Sequence, residues 1–229
     1  IDIDVDHNGQ GMEFFYPAVP RVQEIQRRYV RKLVETLNSF DNVFFEIANE
    51  LQAPVWQLDI LRLVKETEAG LPQQHLVYLS PGGRDRPGNW SPLPKTFYLD
   101  STADVISVTR GWNRLYASNP PVEEAHRPVF MDMDHVAVSN DGDNEWNNSP
   151  LTPWKLFTRG YHICIYDFDY WKPTARGKEW DETRRSCGAT VDLAGRIELP
   201  AMRPRPDLAS TEYCLANPGV EYVVLQPEA

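Results

Sequence analysis

The stretch Asn42-Val43-Phe44-Phe45-Glu46-Ile47-Ala48-Asn49-Glu50 constrains this chain more than any other. Its apolar run, with two adjacent aromatic rings, reads as a fully buried strand. Such runs belong to parallel sheets covered on both faces rather than to half-exposed hairpins. The strand then finishes on an amide beside a carboxylate, Asn49-Glu50. In parallel α/β architectures, chemistry gathers at the carboxyl ends of the strands. Glu50 is therefore the first catalytic candidate; its plainer role would be to cap the helix that follows.

The flanking segments supply the alternation that a parallel sheet needs. Ile1-Asp2-Ile3-Asp4-Val5-Asp6 alternates like a strand already under way, which leads us to expect the amino-terminal part of the fold outside this chain. After a loop to Pro20, the residues Val22, Ile25, Tyr29, Val30, Leu33, Val34 and Leu37 mark one apolar helix face, with Pro20 in the first turn. Pro54 opens a second helix bearing Trp56, Leu58, Ile60, Leu61 and Val64, and Gly70 is placed to close it in the left-handed conformation. Strands follow at 75–79, 103–108, 127–135 and 161–167. Between the first two of these, Ser80 to Pro94 is rich enough in Pro and Gly to read as a long loop.

Thr152-Pro153 starts a short helix that Gly160 stops. A final helix spans about 179–197, with Trp180, Cys187, Val191 and Ala194 on a common face and Arg184 along the same line. Leu199 to Leu208 reads as a proline-broken linker. The tail reads as a hairpin turning at Asn217-Pro218-Gly219.

Strands alternating with helices, each strand ending in polar residues, predict an α/β fold with a parallel sheet. No glycine-rich phosphate loop follows a strand, which favours a barrel over an open doubly wound sheet. The expected architecture is a (β/α)8 TIM-barrel type fold over 1–199, lacking its first strands. Residues 200–229 would be a linker and the start of a β-rich module ending in a short hairpin. Association with another chain that completes the barrel is part of the same expectation, because missing strands leave open sheet edges.

Charge and composition remove several functions. A formal net charge of -10 repels phosphate backbones, so nucleic acid is not an expected partner. No apolar run reaches the roughly 18 residues that cross a membrane, and no membrane partner is expected. Cys164, Cys187 and Cys214 are widely spaced and lack a C-x-x-C pattern, so they signal neither zinc nor a disulfide framework. His162 and Cys164 alternate on one strand face, where packing explains them. Asp141-Gly142-Asp143-Asn144-Glu145 begins like a calcium loop but lacks the remaining ligands. No metal or cofactor is expected, and no G-x-S-x-G motif supports a serine hydrolase.

The strongest constellation joins Glu50 to the strand-end pair Asp132 and Asp134, with Trp112 and Trp171 ending other strands. Two carboxylates across a mouth lined with indole faces are what glycosidic cleavage requires. One protonates the leaving oxygen while the other attacks the anomeric carbon or activates water. Strand alternation puts Asp132 and Asp134 on one face, with Met131 and Met133 opposite. Asp134, nearer the carboxyl end, is the one placed to meet substrate, and Asp132 to orient it. Both acids could instead be partners of structural arginines.

The strand VFFEIANE resembles the fourth barrel strand of the retaining glycoside hydrolases of clan A, where Asn-Glu supplies the general acid/base. RPVFMDMDH, WKLFTRGYH and RPDLASTEYCLANPGVEYVV are similar to one group of barrel proteins classed with the glycoside hydrolases. Some members of that group carry a C-terminal collagen-binding-like β domain. The resemblance covers the chain from about Asn42 onward. It implies Glu50 as acid/base and Asn49 as the amide that contacts the sugar hydroxyl beside the reacting carbon. Trp112, His135 and Trp171 would hold an oligo- or polysaccharide substrate. The clan's nucleophile is a glutamate ending the seventh strand, where this chain offers only Asp132, Asp134 and His135. An aspartate is one methylene shorter, which leaves room for a water and for inversion, or for a site that binds sugar without cleaving it.

Overall fold

The computed structural model describes residues 7, 9, 11–15, 19–49, 51, 53–79, 84–86, 89–90, 93–108, 125–132, 150–164 and 181–226. The chain divides into two compact units, Ile1–Ser107 and Val108–Ala229. The fold is mixed α/β, with strands of parallel sheet in both units and a small antiparallel sheet in the second.

In the first unit, helix α1 (Pro20–Leu37) leads to strand β1 (Phe45–Glu46), helix α2 (Pro54–Glu68) and strand β2 (Val77–Leu79). A two-stranded hairpin follows, β3 (Arg84–Arg86) with β4 (Asn89–Trp90), then the short helix α3 (Lys95–Leu99) and strand β5 (Val105–Val108). β1 pairs in parallel with β2, Phe45 opposite Val77, and β2 pairs in parallel with β5, Tyr78 opposite Val105. Val77, Tyr78 and Leu79 are all buried, as expected of a strand covered on both faces. Ile60, Leu61, Leu63 and Val64 of α2 are buried too, each side chain contributing about 1.5–3 kcal/mol on leaving water.

Four readings of this unit need correction. β1 is not buried on both faces: Phe45 and Ile47 are inside, while Phe44 is 52% exposed and Glu46 is exposed. Among the described residues β1 pairs only with β2, and its residues alternate as those of a half-covered strand do. On α1 the buried positions are Val22, Gln26 and Val34, and the expected face members Ile25, Tyr29 and Leu33 are exposed. The buried face is turned toward Gln26 because that amide has partners: its Nε2 donates to the Phe14 carbonyl at 2.7 Å, and its Oε1 accepts from Trp56 Nε1 at 3.1 Å.

Gly70 does not take up the left-handed conformation, and α2 runs into a right-handed Ala69. Its final carbonyl, on Glu68, is instead satisfied by the Leu71 N–H at 2.8 Å and the Gln74 side chain at 2.6 Å. The stretch expected to be an irregular loop carries the β3–β4 hairpin, with Arg84 opposite Trp90 and a register shift before Arg86.

In the second unit, strand β6 (Val129–Asp132) and strand β7 (His162–Cys164) pair in parallel on either side of helix α4 (Thr152–Thr158). Gly160 ends α4 with φ of 78°, as its position in the sequence suggests. Helix α5 (Asp181–Ala194) follows, then strands β8 (Arg203–Pro204), β9 (Cys214–Asn217) and β10 (Glu221–Val224) in one antiparallel sheet of order β10-β9-β8. The tail hairpin forms as expected, with Gly219 at φ 85°. The stretch read as a linker carries β8 between two 3-10 turns. Met202 and Leu215 share a core with Phe157 of α4, and Leu193, Ala194 and Ile197 pack against it. On α5 the buried residues are Thr183 and Thr190; Val191, expected on the inner face, is 70% exposed. Arg184 lies outside too, pairing with Asp181 at 2.9 Å. Trp180 lies outside the described residues.

Candidate functional site

The carboxyl end of β1 is the part of the candidate site that the described residues reach in the first unit. The ladder continues one residue beyond the strand, with the Phe45 N–H on the Leu76 carbonyl at 2.9 Å and the Ile47 N–H on Tyr78 at 3.1 Å. Asn49 then emerges exposed, and by Ala53 the chain is buried again and enters α2 at Pro54. The described chain thus passes from strand to helix between Ile47 and Pro54, the kind of junction that carries catalytic groups in parallel folds. Glu50, the proposed acid/base, lies outside the described residues.

What the described residues add is the wall beside this junction. Trp56, in the first turn of α2, donates to Gln26 in the second turn of α1, and Gln26 in turn holds the Phe14 carbonyl. Phe15 meets the Trp56 ring edge-on, with centroids 5.2 Å apart, and Phe14 meets Phe15 at 5.1 Å. The amino ends of both helices and the 3-10 turn Met12–Phe15 are thereby tied together on the side where β1 ends. Half-buried aromatic rings there present flat apolar surface of the kind that packs on sugar C–H groups.

Gln57, also in the first turn of α2, is fully buried, and neither polar atom of its side chain has a hydrogen-bond partner among the described residues. Sequence reasoning missed Gln26 and Gln57 as site-side residues. The available signal was a polar amide at helical spacing from apolar inward positions: Gln57 precedes Ile60, Leu61 and Val64 by three, four and seven.

In the second unit, Asp132 is the last residue of β6 and stands in register with Cys164 of β7. Behind it Val129 and Met131 are buried, and the Phe130 ring lies 5.9 Å from that of His162. Asp134, His135, Trp112 and Trp171 lie outside the described residues, as does the acidic loop at 141–145. His162 itself is exposed, and Cys214 is buried, its thiol pushed up by desolvation.

The other concentration of charge sits at the opposite end of the first unit's strands, ahead of β2. Glu68, 2% exposed, accepts from the His75 backbone N–H at 2.8 Å, from His75 Nδ1 at 2.5 Å and from Asn38 Nδ2 at 3.3 Å. His75 Nε2 faces the Phe40 carbonyl at 2.7 Å. With Glu68 ionised, both partners only accept, so this geometry matches a ring protonated on both nitrogens. The Glu68 hydrogen bond, then the Phe40 carbonyl, raise the His75 pKa above its ordinary 6.5. Nearby, Asp104 accepts from Lys65 Nζ at 2.6 Å and from the Val77 N–H at 2.8 Å. Both arrangements anchor the amino end of β2 rather than forming an opening.

Among the described residues no three His, Cys, Asp or Glu side chains gather to hold a metal ion, and no helix is long and apolar enough to cross a membrane. Comparison with known protein families, curated proteins and solved structures gave no match to this chain.

Proposed function

We propose that this chain is a glycoside hydrolase built on a (β/α)8 barrel type of fold, cleaving the O-glycosidic bond of an oligo- or polysaccharide with two carboxylates. Glu50 is the general acid/base and Asp134 the nucleophile or general base. Asn49, Trp112, Asp132, His135 and Trp171 bind the sugar. The observation that carries the reading is Asn49, exposed just past the carboxyl end of a strand paired in parallel and immediately before Glu50. The braced aromatic pair Phe15–Trp56 beside it supports a sugar-binding mouth.

In this mechanism Glu50 gives its proton to the leaving oxygen as the glycosidic bond breaks. With Asp134 as nucleophile the carboxylates would stand about 5–5.5 Å apart; with a water between them, about 6.5–9.5 Å. The test is release of reducing sugar from a panel of polysaccharides by the wild type and by Glu50→Gln. The variant should lose activity by about 10²–10⁴-fold, the range for removing a general acid, with an unchanged melting temperature. Turnover surviving in Glu50→Gln removes the mechanism. A second reading, a barrel that binds sugar without cleaving it, rests on an aspartate standing where the resembling hydrolases have a glutamate. Calorimetric binding of oligosaccharides without product release by the wild type would select it.

A further inference from the structure

Ahead of β6 and β7, at the amino ends of these strands, the second unit holds a cleft of about 460 Å³, within the size range of small-molecule sites. His126, His162 and Arg203 line it together with Arg127, and the described residues that line it include no Asp or Glu. That is selective in a chain whose 33 acidic residues outnumber its 23 Lys and Arg.

The arginines are held rather than loose, and desolvation lowers the His162 pKa, so that ring offers a neutral N–H. Arg203 Nη1 donates to the Pro200 carbonyl at 2.8 Å and to the Met202 carbonyl at 2.7 Å, which fixes the guanidinium plane. Its Nε and Nη2 donors have no partner among the described residues, and a fork so fixed suits an oxyanion. Arg127 is steadied by Nε donating to the Ala125 carbonyl at 3.0 Å. His126 sits at φ 51°, a left-handed conformation that is strained for a residue with a Cβ. Strain of that kind collects at ligand sites. The remaining wall is apolar, including Met202 and Leu215.

We propose that this cleft binds an oxyanion, such as a phosphate or carboxylate group, carried on a small apolar body. Arg203 and His126 take the anionic group, a ring N–H of His162 donates to it, and the Met202–Leu215 wall takes the body. The site is separate from the glycosidase reading, because parallel folds place catalysis at the other ends of these strands.

The test follows the imidazole carbon-bound protons of the full chain by NMR during titration with phenyl phosphate, inorganic phosphate and phenol. The His126 and His162 signals should move saturably with phenyl phosphate, about tenfold more weakly with inorganic phosphate, and not with phenol. Arg203→Gln and His126→Asn should each weaken phenyl phosphate by tenfold or more; asparagine tolerates the left-handed backbone, so the second variant keeps the fold. Absence of any shift with either phosphate overturns the proposal, as does wild-type affinity in both variants. Equal binding of phenol and phenyl phosphate overturns the anionic part. Equal binding of the two phosphates overturns the apolar part.

Discussion

Glu68→Gln should cost the first unit about 3–5 kcal/mol, the range for removing one partner of a buried ion pair. The side chains of His75 and Glu68 are 4% and 2% exposed, so water cannot replace what is lost. A glutamine of the same shape can still accept one hydrogen bond, but it cannot balance the imidazolium. The ring must then either stay charged and unpaired, or give up a proton and with it the bond to Nδ1 or to the Phe40 carbonyl. Against a typical total of about 5–15 kcal/mol, the loss is large enough to move a urea midpoint plainly.

The same pair fixes a pH signature whose sign follows from the His75 pKa lying above 6.5. Below that value the ring is protonated in both folded and unfolded chains, and its stabilisation is fully present. As pH rises, the unfolded ring loses its proton first, so stability falls, by about 1.4 kcal/mol per unit, until the folded ring's own pKa is passed. Urea denaturation of wild type and Glu68→Gln at pH 6 and pH 8 measures both effects. The difference between the two proteins should shrink at the higher pH. A Glu68→Gln loss under about 1 kcal/mol, or a difference that grows with pH, would refute the buried imidazolium.

Three further substitutions test contacts within each unit. Gly219→Ala should destabilise the second unit by about 1–2 kcal/mol. Nothing lies within 4 Å of the added Cβ, so the cost comes from φ of 85° alone, and a melting curve reads it directly. Asp104→Ala should cost about 1.5–3 kcal/mol by leaving the Val77 N–H and Lys65 without their acceptor. Asp104→Asn, which keeps an oxygen for Val77, should cost clearly less because the Lys65 pair is a third exposed and screened. Equal losses in the two Asp104 variants, by urea denaturation, would show that the ion pair dominates.

The elements read most directly from sequence are those whose signal is local. The Asn217-Pro218-Gly219 turn requires a left-handed glycine and has one; Pro54 starts α2 and Gly160 ends α4 where their backbone preferences place them. The misread elements depend on neighbours distant in the chain. Phe44 is exposed while Phe45 beside it is buried, a difference set by what packs on each face and not encoded in the two residues themselves. The β3–β4 hairpin carries Arg-Asp-Arg opposite Asn-Trp, with no apolar alternation to announce it. Val191 satisfies helical spacing yet faces outward, since the small polar Thr183 and Thr190 take the inner line of α5.

Three polar residues on the inward faces of α1 and α2 carry this argument into the candidate site. Gln26 is held by partners 12 and 30 residues away, and Glu68 by Asn38 30 residues away, separations that periodicity does not register. Each therefore looks out of place in a helical pattern and is stable in the fold. Gln57 differs: it is fully buried, and its amide has no partner among the described residues. Burying such a group unpaired costs about 1–3 kcal/mol, which an apolar residue of similar size would avoid. It lies in the first turn of α2, just past the strand-to-helix junction that follows Asn49. Local disagreement between a sequence and the stability of its fold concentrates at functional sites. Among the helices of the first unit, that disagreement is sharpest at the end of β1 where the acid/base is proposed.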